Sequence, residues 1–335
     1  MRYGFNRCLL TSSCTDALEM AAILAGIGDG DEVIMPSYTF VSTANAFILR
    51  GSRVIFADSR KEFPGIDEAG IEELITPRTR IIIPVHYAGI SCDMDIIMGI
   101  AEKYNLMVIE DAAQAIDSYY KGRPLGSIGN MGCFSFHETK NIISGEGGML
   151  TINDKHFISR AEIIWEKGTN RAEFFRGEIN KYGWVDIGSS FLPSEITAAF
   201  LAAQIENIDR IQKKRTLIFN YYYQALKPLE QKYGIRLPFI PEYATINGHM
   251  FYIVCNSLKE RNGLIKFLGA RNIHAVFHYL PLHSSEYYAR FNIHRDLPNA
   301  DMYSECLLRL PFFYELTDKE LLYITDAITG YYESL

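Results

Sequence analysis

The chain has 335 residues, 48% of them hydrophobic and 22% charged, with 33 lysines and arginines against 40 aspartates and glutamates. A net charge of -7, with no basic run longer than Lys213-Lys214-Arg215, argues against a nucleic-acid binder. The apolar runs, such as 80–85, have strand length and argue against a membrane span.

The length allows a large core and two domains. Six cysteines (Cys8, Cys14, Cys92, Cys133, Cys255, Cys306) stand without paired spacing. They read as reduced, mostly buried thiols, with neither a disulfide framework nor a metal site. The first residues carry no basic segment followed by an apolar one, so no secretory signal is expected and a cytoplasmic location is.

In chain order, 7–11 reads as a strand, and Ser12-Ser13-Cys14-Thr15 leads into a helix over 16–24. Small polar residues at such a junction make an N-cap, and the free N–H groups beyond it can hold a phosphate. An ordinary capped helix is the equal alternative, and there is no G-x-G-x-x-G or Walker-type loop. A strand over 32–35 stops at Pro36, and a helix follows over 41–49. Phe40, between them, is either a core aromatic or a flat ring offered to a flat ligand.

Further strands are expected at 53–57, 80–85 and 106–110, with helices at 68–75 and 95–104. This alternation predicts an α/β domain with a largely parallel sheet, whose ligands lie at the carboxyl ends of the strands. Asp111 directly follows one strand, with Gln114 three residues on; Asp111 is a ligand carboxylate or an N-cap. His86 follows another and is favoured as a satisfied core histidine.

The stretch 131–148 combines a short buried strand (Cys133, Phe134, Phe136) with a glycine-rich end, 145–148, that must turn tightly or pass close to something. Between them lies Lys140, five positions after Ser135. It is either a surface lysine or one that loses its proton on burial and forms a Schiff base.

A long helix is expected over 201–226, then a smaller α/β unit: strand 249–255, helix 260–270, strand 275–278 and a closing helix 318–333. The chain is therefore divided into a large domain, 1–205, and a small C-terminal domain, 206–335.

A helix start for a phosphate, an aromatic, a carboxylate with a glutamine, and a serine five before a lysine are together what pyridoxal phosphate needs. The sequence also resembles the sugar-nucleotide aminotransferases of the DegT/StrS type. The resemblance is carried by 31–40 (Asp-Glu-Val-Ile-Met-Pro-Ser-Tyr-Thr-Phe), 110–115 (Glu-Asp-Ala-Ala-Gln-Ala), 134–141 (Phe-Ser-Phe-His-Glu-Thr-Lys-Asn), 145–148 (Gly-Glu-Gly-Gly) and 277–283 (Phe-His-Tyr-Leu-Pro-Leu-His). It implies the aspartate-aminotransferase-like fold type I, with a large, mostly parallel-sheet domain and a small C-terminal α/β domain.

It further implies that Lys140 bonds the cofactor and shuttles the proton, Asp111 pairs with the pyridinium nitrogen, Gln114 contacts the ring hydroxyl and Phe40 stacks on the ring. Cys14, Thr15 and Ser135 would surround the phosphate. Tyr279, His283 and the stretch 166–176 are candidates for the substrate. The wording His-Glu-Thr-Lys-Asn, Ser-Cys-Thr, Phe-Tyr-Ile and Asp-Ile-Gly-Ser-Ser is similar to the branch that moves an amino group from L-glutamate to C4 of dTDP-4-dehydro-6-deoxy-glucose, for surface polysaccharide.

Two departures stand out. Cys14 takes the place of a family glycine, and Ser190 that of an asparagine that reaches the phosphate of the neighbouring subunit in a homodimer with shared sites. Relatives carry roughly fifty residues before the first strand, the order of a short helical subdomain. The expectation is a protein that binds cofactor but handles the sugar nucleotide poorly, an idea that full turnover by the 335-residue form would sink. Two competing readings are a sugar dehydration, against which Lys140 argues because that branch has histidine there, and a non-catalytic homologue.

Overall fold

The computed structural model describes residues 2–291 and 295–335. Arg7–Thr11 forms β1, and the helix α1 runs over Cys14–Leu24. Ser13 is extended and its hydroxyl accepts from the Asp16 N–H at 3.0 Å, so this cap starts the helix ahead of the first residue of the apolar pattern.

There follow β2 (Glu32–Pro36), α2 (Val41–Ile48), β3 (Arg53–Ala57), β4 (Thr79–Ile82), α3 (Met94–Tyr104) and β5 (Met107–Asp111). The two-residue strands β6 (Tyr119–Tyr120) and β7 (Arg123–Pro124) precede β8 (Met131–Ser135) and β9 (Gly148–Ile152). The strand expected over 80–85 ends early, because Pro84 has no N–H to give to a ladder. The helix expected over 68–75 is instead two 3-10 turns, Glu68–Gly70 and Glu72–Leu74. Glu68 is drawn inward, where its carboxylate accepts from Arg60 at 2.8 Å and from the Asp93 N–H at 2.6 Å. That pairing outweighs the helical pattern of the segment.

The large sheet has seven strands in the order β1-β9-β8-β5-β4-β2-β3. Neighbours from β8 to β3 pair in parallel, while β9 runs antiparallel to both β8 and β1. Strands β2, β8 and β9 are buried along their whole length, as expected of a sheet covered on both faces. Its carboxyl edge therefore gathers the ends of β1, β2, β5 and β8 and the start of β9.

Next come α4 (Ile158–Trp165), α5 (Arg171–Phe175), α6 (Glu195–Glu206) and α7 (Ile208–Tyr233). The single helix expected over 201–226 is thus two helices that meet at Asn207, whose side-chain amide bonds back to the Ala203 carbonyl at 2.9 Å. The second continues through Pro228. That residue is exposed, so the carbonyl its ring leaves without a partner faces water.

The chain then forms β10 (Tyr252–Val254), α8 (Leu258–Gly269), β11 (Val276–Phe277), α9 (Glu286–Ala289), α10 (Pro298–Cys306), β12 (Leu307–Arg309) and α11 (Asp318–Glu333). A three-stranded antiparallel sheet, β10-β12-β11, packs with α7, α8 and α11 around its own core of Phe251, Ile253, Leu264, Leu308 and Ile324. In α11 the Thr317 hydroxyl and the Glu320 carboxylate cap each other's backbone, which places its start at Asp318.

Candidate active site

A cavity of about 570 Å³ opens at the carboxyl edge of the large sheet, between that edge and the small sheet. Cys14, Thr15, Phe40, Asp111, Gln114, Ser135, Lys140 and Tyr279 all line it. Residues from five separate stretches, spread from 14 to 279, thus converge in one place.

Lys140 hangs from the loop that joins β8 to β9. The loop is closed by Phe136 N–H to the Gly147 carbonyl at 2.8 Å and Ser144 N–H to the Phe136 carbonyl at 2.7 Å, with Gly145 at φ +79°. Its neighbour Asn141 is buried and pins the loop to the rest of the molecule. Its amide donates to Gln212 at 3.0 Å and to the Asn247 carbonyl at 2.8 Å, and its oxygen meets His249 Nδ1 at 2.8 Å. Burial pushes the Lys140 ammonium below the usual lysine range, and the Arg309 cation adds to this against the opposing pull of Asp111. Among the described residues no carboxylate forms an ion pair with it.

Asp111 is buried, with its Oδ2 accepting from the Thr43 hydroxyl at 2.7 Å and Oδ1 from the Ala113 N–H at 3.1 Å. Thr43 is in turn 3.0 Å from the hydroxyl of Thr39, which lies just before α2. Gln114 Oε1 accepts the Ala88 N–H at 2.6 Å, which fixes the amide so that Nε2 donates to the Tyr279 hydroxyl at 3.2 Å. Ala88 holds the left-handed conformation (φ +57°) to do so. Phe40 is 54% exposed, so its ring is a wall of the cavity and not part of the core.

The start of α1 lies against the start of β9. A Cβ on Gly148 would come within 2.3 Å of Ser13 C and O and 2.5 Å of Cys14 N, so this glycine is what lets the helix N-terminus approach. Thr15 bonds to the Ser42 hydroxyl at 2.9 Å, and Ser135, buried at the end of β8, accepts the His137 N–H at 3.4 Å.

Two expected residues lie elsewhere. His283 does not line this cavity: its ring sits between Ser37 Oγ at 2.7 Å and Asp301 at 3.5 Å, where it ties the loop after β11 to the end of β2. Ser190 is exposed on a segment that bridges to Glu166. His86 is the core histidine expected, 3.0 Å from Glu110, whose buried carboxylate also accepts the N–H groups of Gly126, Ile128 and Gly129, each at 2.7 Å.

Sequence reading missed Thr39, Thr43 and Arg309. Thr43 lies in the first turn of α2 and Thr39 just before it, so helical spacing did not mark the pair. Arg309 had no signal either. A second cavity, of about 760 Å³, shares Thr39, Phe40 and Tyr279 with the first and continues past Phe277 and Leu280 to Glu286 and Asp301.

The chemistry of this set fits pyridoxal phosphate: a deprotonation-prone amine, a carboxylate with lone pairs to spare, an exposed flat ring and an open helix N-terminus made possible by Gly148. Comparison with known proteins agrees. The model of the DegT/DnrJ/EryC1/StrS aminotransferase family matches residues 3–329. The spore coat polysaccharide biosynthesis protein SpsC of Bacillus subtilis is 34% identical over 97% of this chain and 85% of its own length. The GDP-perosamine synthase of Caulobacter vibrioides is 34% identical over 95% of this chain and 84% of its own.

Among solved structures, an aminotransferase from Psychrobacter cryohalolentis superposes with a TM-score of 0.93 at 27% identity, covering 99% of this chain and 88% of that one. The sugar aminotransferase Spr1654 of Streptococcus pneumoniae, solved in its pyridoxal and pyridoxamine phosphate forms, gives 0.90 at 26% identity, with 99% of this chain covered. In these forms it covers 88% and 87% of that chain. The fold is fold type I and the cofactor is pyridoxal 5′-phosphate. The protein belongs to the DegT/DnrJ/EryC1/StrS family and is a sugar aminotransferase.

Proposed function

We infer that the protein transfers the amino group of L-glutamate to C4 of a nucleotide-linked 4-keto-6-deoxy sugar, with dTDP-4-dehydro-6-deoxy-glucose as the substrate, in the synthesis of surface polysaccharide. The observation that carries the transamination is the meeting of the unpaired Lys140 amine and the Asp111 carboxylate in one cavity beside the start of α1. The resemblance of the segments around Lys140, Cys14 and Ser190 to the C4-aminating branch supports the sugar. Kinship with a spore coat polysaccharide protein and a GDP-perosamine synthase supports a nucleotide-linked sugar in surface polysaccharide synthesis.

Bound here, the cofactor supplies an electron sink that lets a proton leave the donor's α-carbon and an amino group pass to a ketone carbon. The chain's residues do the rest. The Lys140 amine, whose proton burial makes easier to lose, would hold the cofactor, take the proton at Nζ and return it to the sugar carbon. Asp111 would pair with the ring nitrogen and keep it protonated, and the Thr43 and Ala113 donors keep Asp111 in place. Gln114 would meet the ring hydroxyl, while Phe40 would cover one face. Cys14, Thr15 and Ser135 would surround the phosphate. The second cavity, walled by Phe277 and Leu280, gives room for the nucleotide sugar beside Tyr279.

The partner in this reading is a second copy of the chain. Trp184 and Ile196 are each 84% exposed, with Val185, Ile187 and Phe200 near them in sequence. Such an apolar stretch around Ser190 is what a homodimer would cover, bringing Ser190 to the neighbour's phosphate. No helix among the described residues is long and apolar enough to cross a membrane.

The test is the visible spectrum of purified protein before and after L-glutamate, with Lys140→Ala beside it, then identification of the sugar product. Loss of the cofactor band with glutamate, absent in K140A, and a C4-amino product are expected. A spectrum indifferent to glutamate refutes the donor, and an amine at another carbon refutes the sugar.

A further inference from the structure

The Asp111 carboxylate sets the direction of a short chain of hydroxyls. A carboxylate only accepts, so the single hydrogen of the Thr43 hydroxyl lies in the 2.7 Å bond to Asp111 Oδ2. Thr43 must then accept in its 3.0 Å bond with Thr39, and the hydrogen of Thr39 is spent there. What remains on Thr39 is an oxygen with free lone pairs and no hydrogen. No other described residue bonds to that oxygen, and Thr39 lines both cavities.

The same reasoning gives the opposite result for Tyr279, which also lines both cavities. Gln114 Nε2 donates to the phenol oxygen at 3.2 Å, so the phenol accepts and its own hydrogen stays free. Burial pushes the phenol pKa up, so that hydrogen is kept. The passage between the cavities thus offers one oxygen that only accepts and one O–H that can donate. A buried acceptor set against a second acceptor leaves both unpaired, which costs more than a good bond gains. Thr39 therefore rejects a carbonyl oxygen and favours a hydroxyl.

We propose that Thr39 reads the hydroxyl beside the ketone of the sugar and makes the enzyme selective for α-hydroxy ketones. In a 4-keto-6-deoxy sugar one neighbour of C4 carries a hydroxyl, C3, and the other, C5, carries a methyl group. With the C4 oxygen at the Tyr279 hydrogen, the C3 hydroxyl lies one carbon nearer the nucleotide, where the first cavity passes into the second. Its hydrogen extends the chain that ends on Asp111, in which each bond polarises the next. The proposal rests on the sugar reading above and adds the group by which the site knows its substrate.

The experiment compares wild-type holoenzyme with Thr39→Val, Thr39→Ser and Thr39→Cys. The probes are dTDP-4-dehydro-6-deoxy-glucose and its 3-deoxy analogue. Three quantities are followed: kcat/KM of the sugar half-reaction from the pyridoxamine phosphate form, the glutamate half-reaction, and calorimetric affinity for both sugars. Affinity is measured in the Lys140→Ala background with pyridoxal phosphate bound, which has no amine to give to a ketone. Wild type is expected to favour the hydroxylated sugar about 10- to 100-fold in kcat/KM and to bind it more tightly. T39V brings that preference to within about threefold, chiefly by losing the hydroxylated sugar, and T39S keeps it. The glutamate half-reaction of T39V falls less than its sugar half-reaction, because Thr43 keeps its bond to Asp111.

A wild type that handles both sugars alike overturns the proposal, as does a T39V enzyme that still tells them apart. Equal losses in both half-reactions, with the preference intact, would mean that Thr39 serves Asp111 alone, and also overturn it. If T39V fails to take up cofactor, T39C decides, since sulfur is a weak acceptor of similar size to the serine hydroxyl. Full preference in T39C refutes the site, and a reduced one supports it. A wild type that ignores glutamate but binds the two sugars with the expected difference refutes the transaminase reading instead.

Discussion

Thr43 tests how the Asp111 carboxylate is held. The substitution is Thr43→Val, which keeps the branched shape of a side chain that is 1% exposed and removes only the hydroxyl. Asp111 then loses its 2.7 Å bond and keeps the 3.1 Å bond from the Ala113 N–H. A hydrogen bond to a charged group contributes roughly 1.5–3 kcal/mol. If the carboxylate must keep its position and charge in the rate-limiting proton transfer, the full loss falls on the barrier. At about 1.4 kcal/mol per factor of ten, kcat falls about 10- to 100-fold. Thr43→Ser restores the donor and stays near wild type. The assay is stopped-flow absorbance of the glutamate half-reaction, with melting temperatures to confirm folding. A T43V enzyme at the wild-type rate would falsify the idea that this hydroxyl holds the carboxylate.

Other substitutions probe different links. Burial lowers the Lys140 pKa below its unfolded value, so in the cofactor-free protein the charged lysine destabilises the fold below the folded pKa. That cost is relieved as pH rises toward the ordinary lysine value. Apo Lys140→Met should therefore melt above apo wild type at neutral pH, with the gap narrowing in alkali; a gap that is constant or widens contradicts the assignment. Gly148→Ala forces a Cβ into Ser13 and Cys14, and an overpacked site costs about 1–3 kcal/mol. Weaker uptake of pyridoxal phosphate, read by fluorescence titration, is expected, and uptake at wild-type affinity would argue against a phosphate cradle at α1. Glu110→Gln keeps an oxygen for the Ile128 and Gly129 N–H groups but turns an amide donor onto the Gly126 N–H, so about 1–3 kcal/mol of stability goes. Spread over 335 residues this is a fall of ~3 °C in calorimetry, and a fall below ~1 °C would mean the network relaxes around the amide.

Much of the frame was legible in the chain. Strands such as 53–57 and the helix 318–333 follow from local pattern and capping, which act over a few residues and need no knowledge of the rest. The order of strand ends also marked Asp111, Gln114 and Ser135, because in a parallel sheet every carboxyl end faces the same edge. The glycine-rich end at 145–148 foretold a tight turn or a close approach, though not that the partner of Gly148 is the start of α1. Other features were decided only in three dimensions. Glu68 turns inward to Arg60 and breaks a helix that its own segment favours, and Pro228 survives inside a helix because its face meets water. Whether Lys140 is a surface cation or a low-pKa amine depends on burial, which Asn141 sets through Gln212 and His249, residues distant in sequence. The same holds for Arg309, whose chain neighbours give no hint of function. Its charge matters because β12 aims it at a cavity made by the other sheet, where no described residue neutralises it.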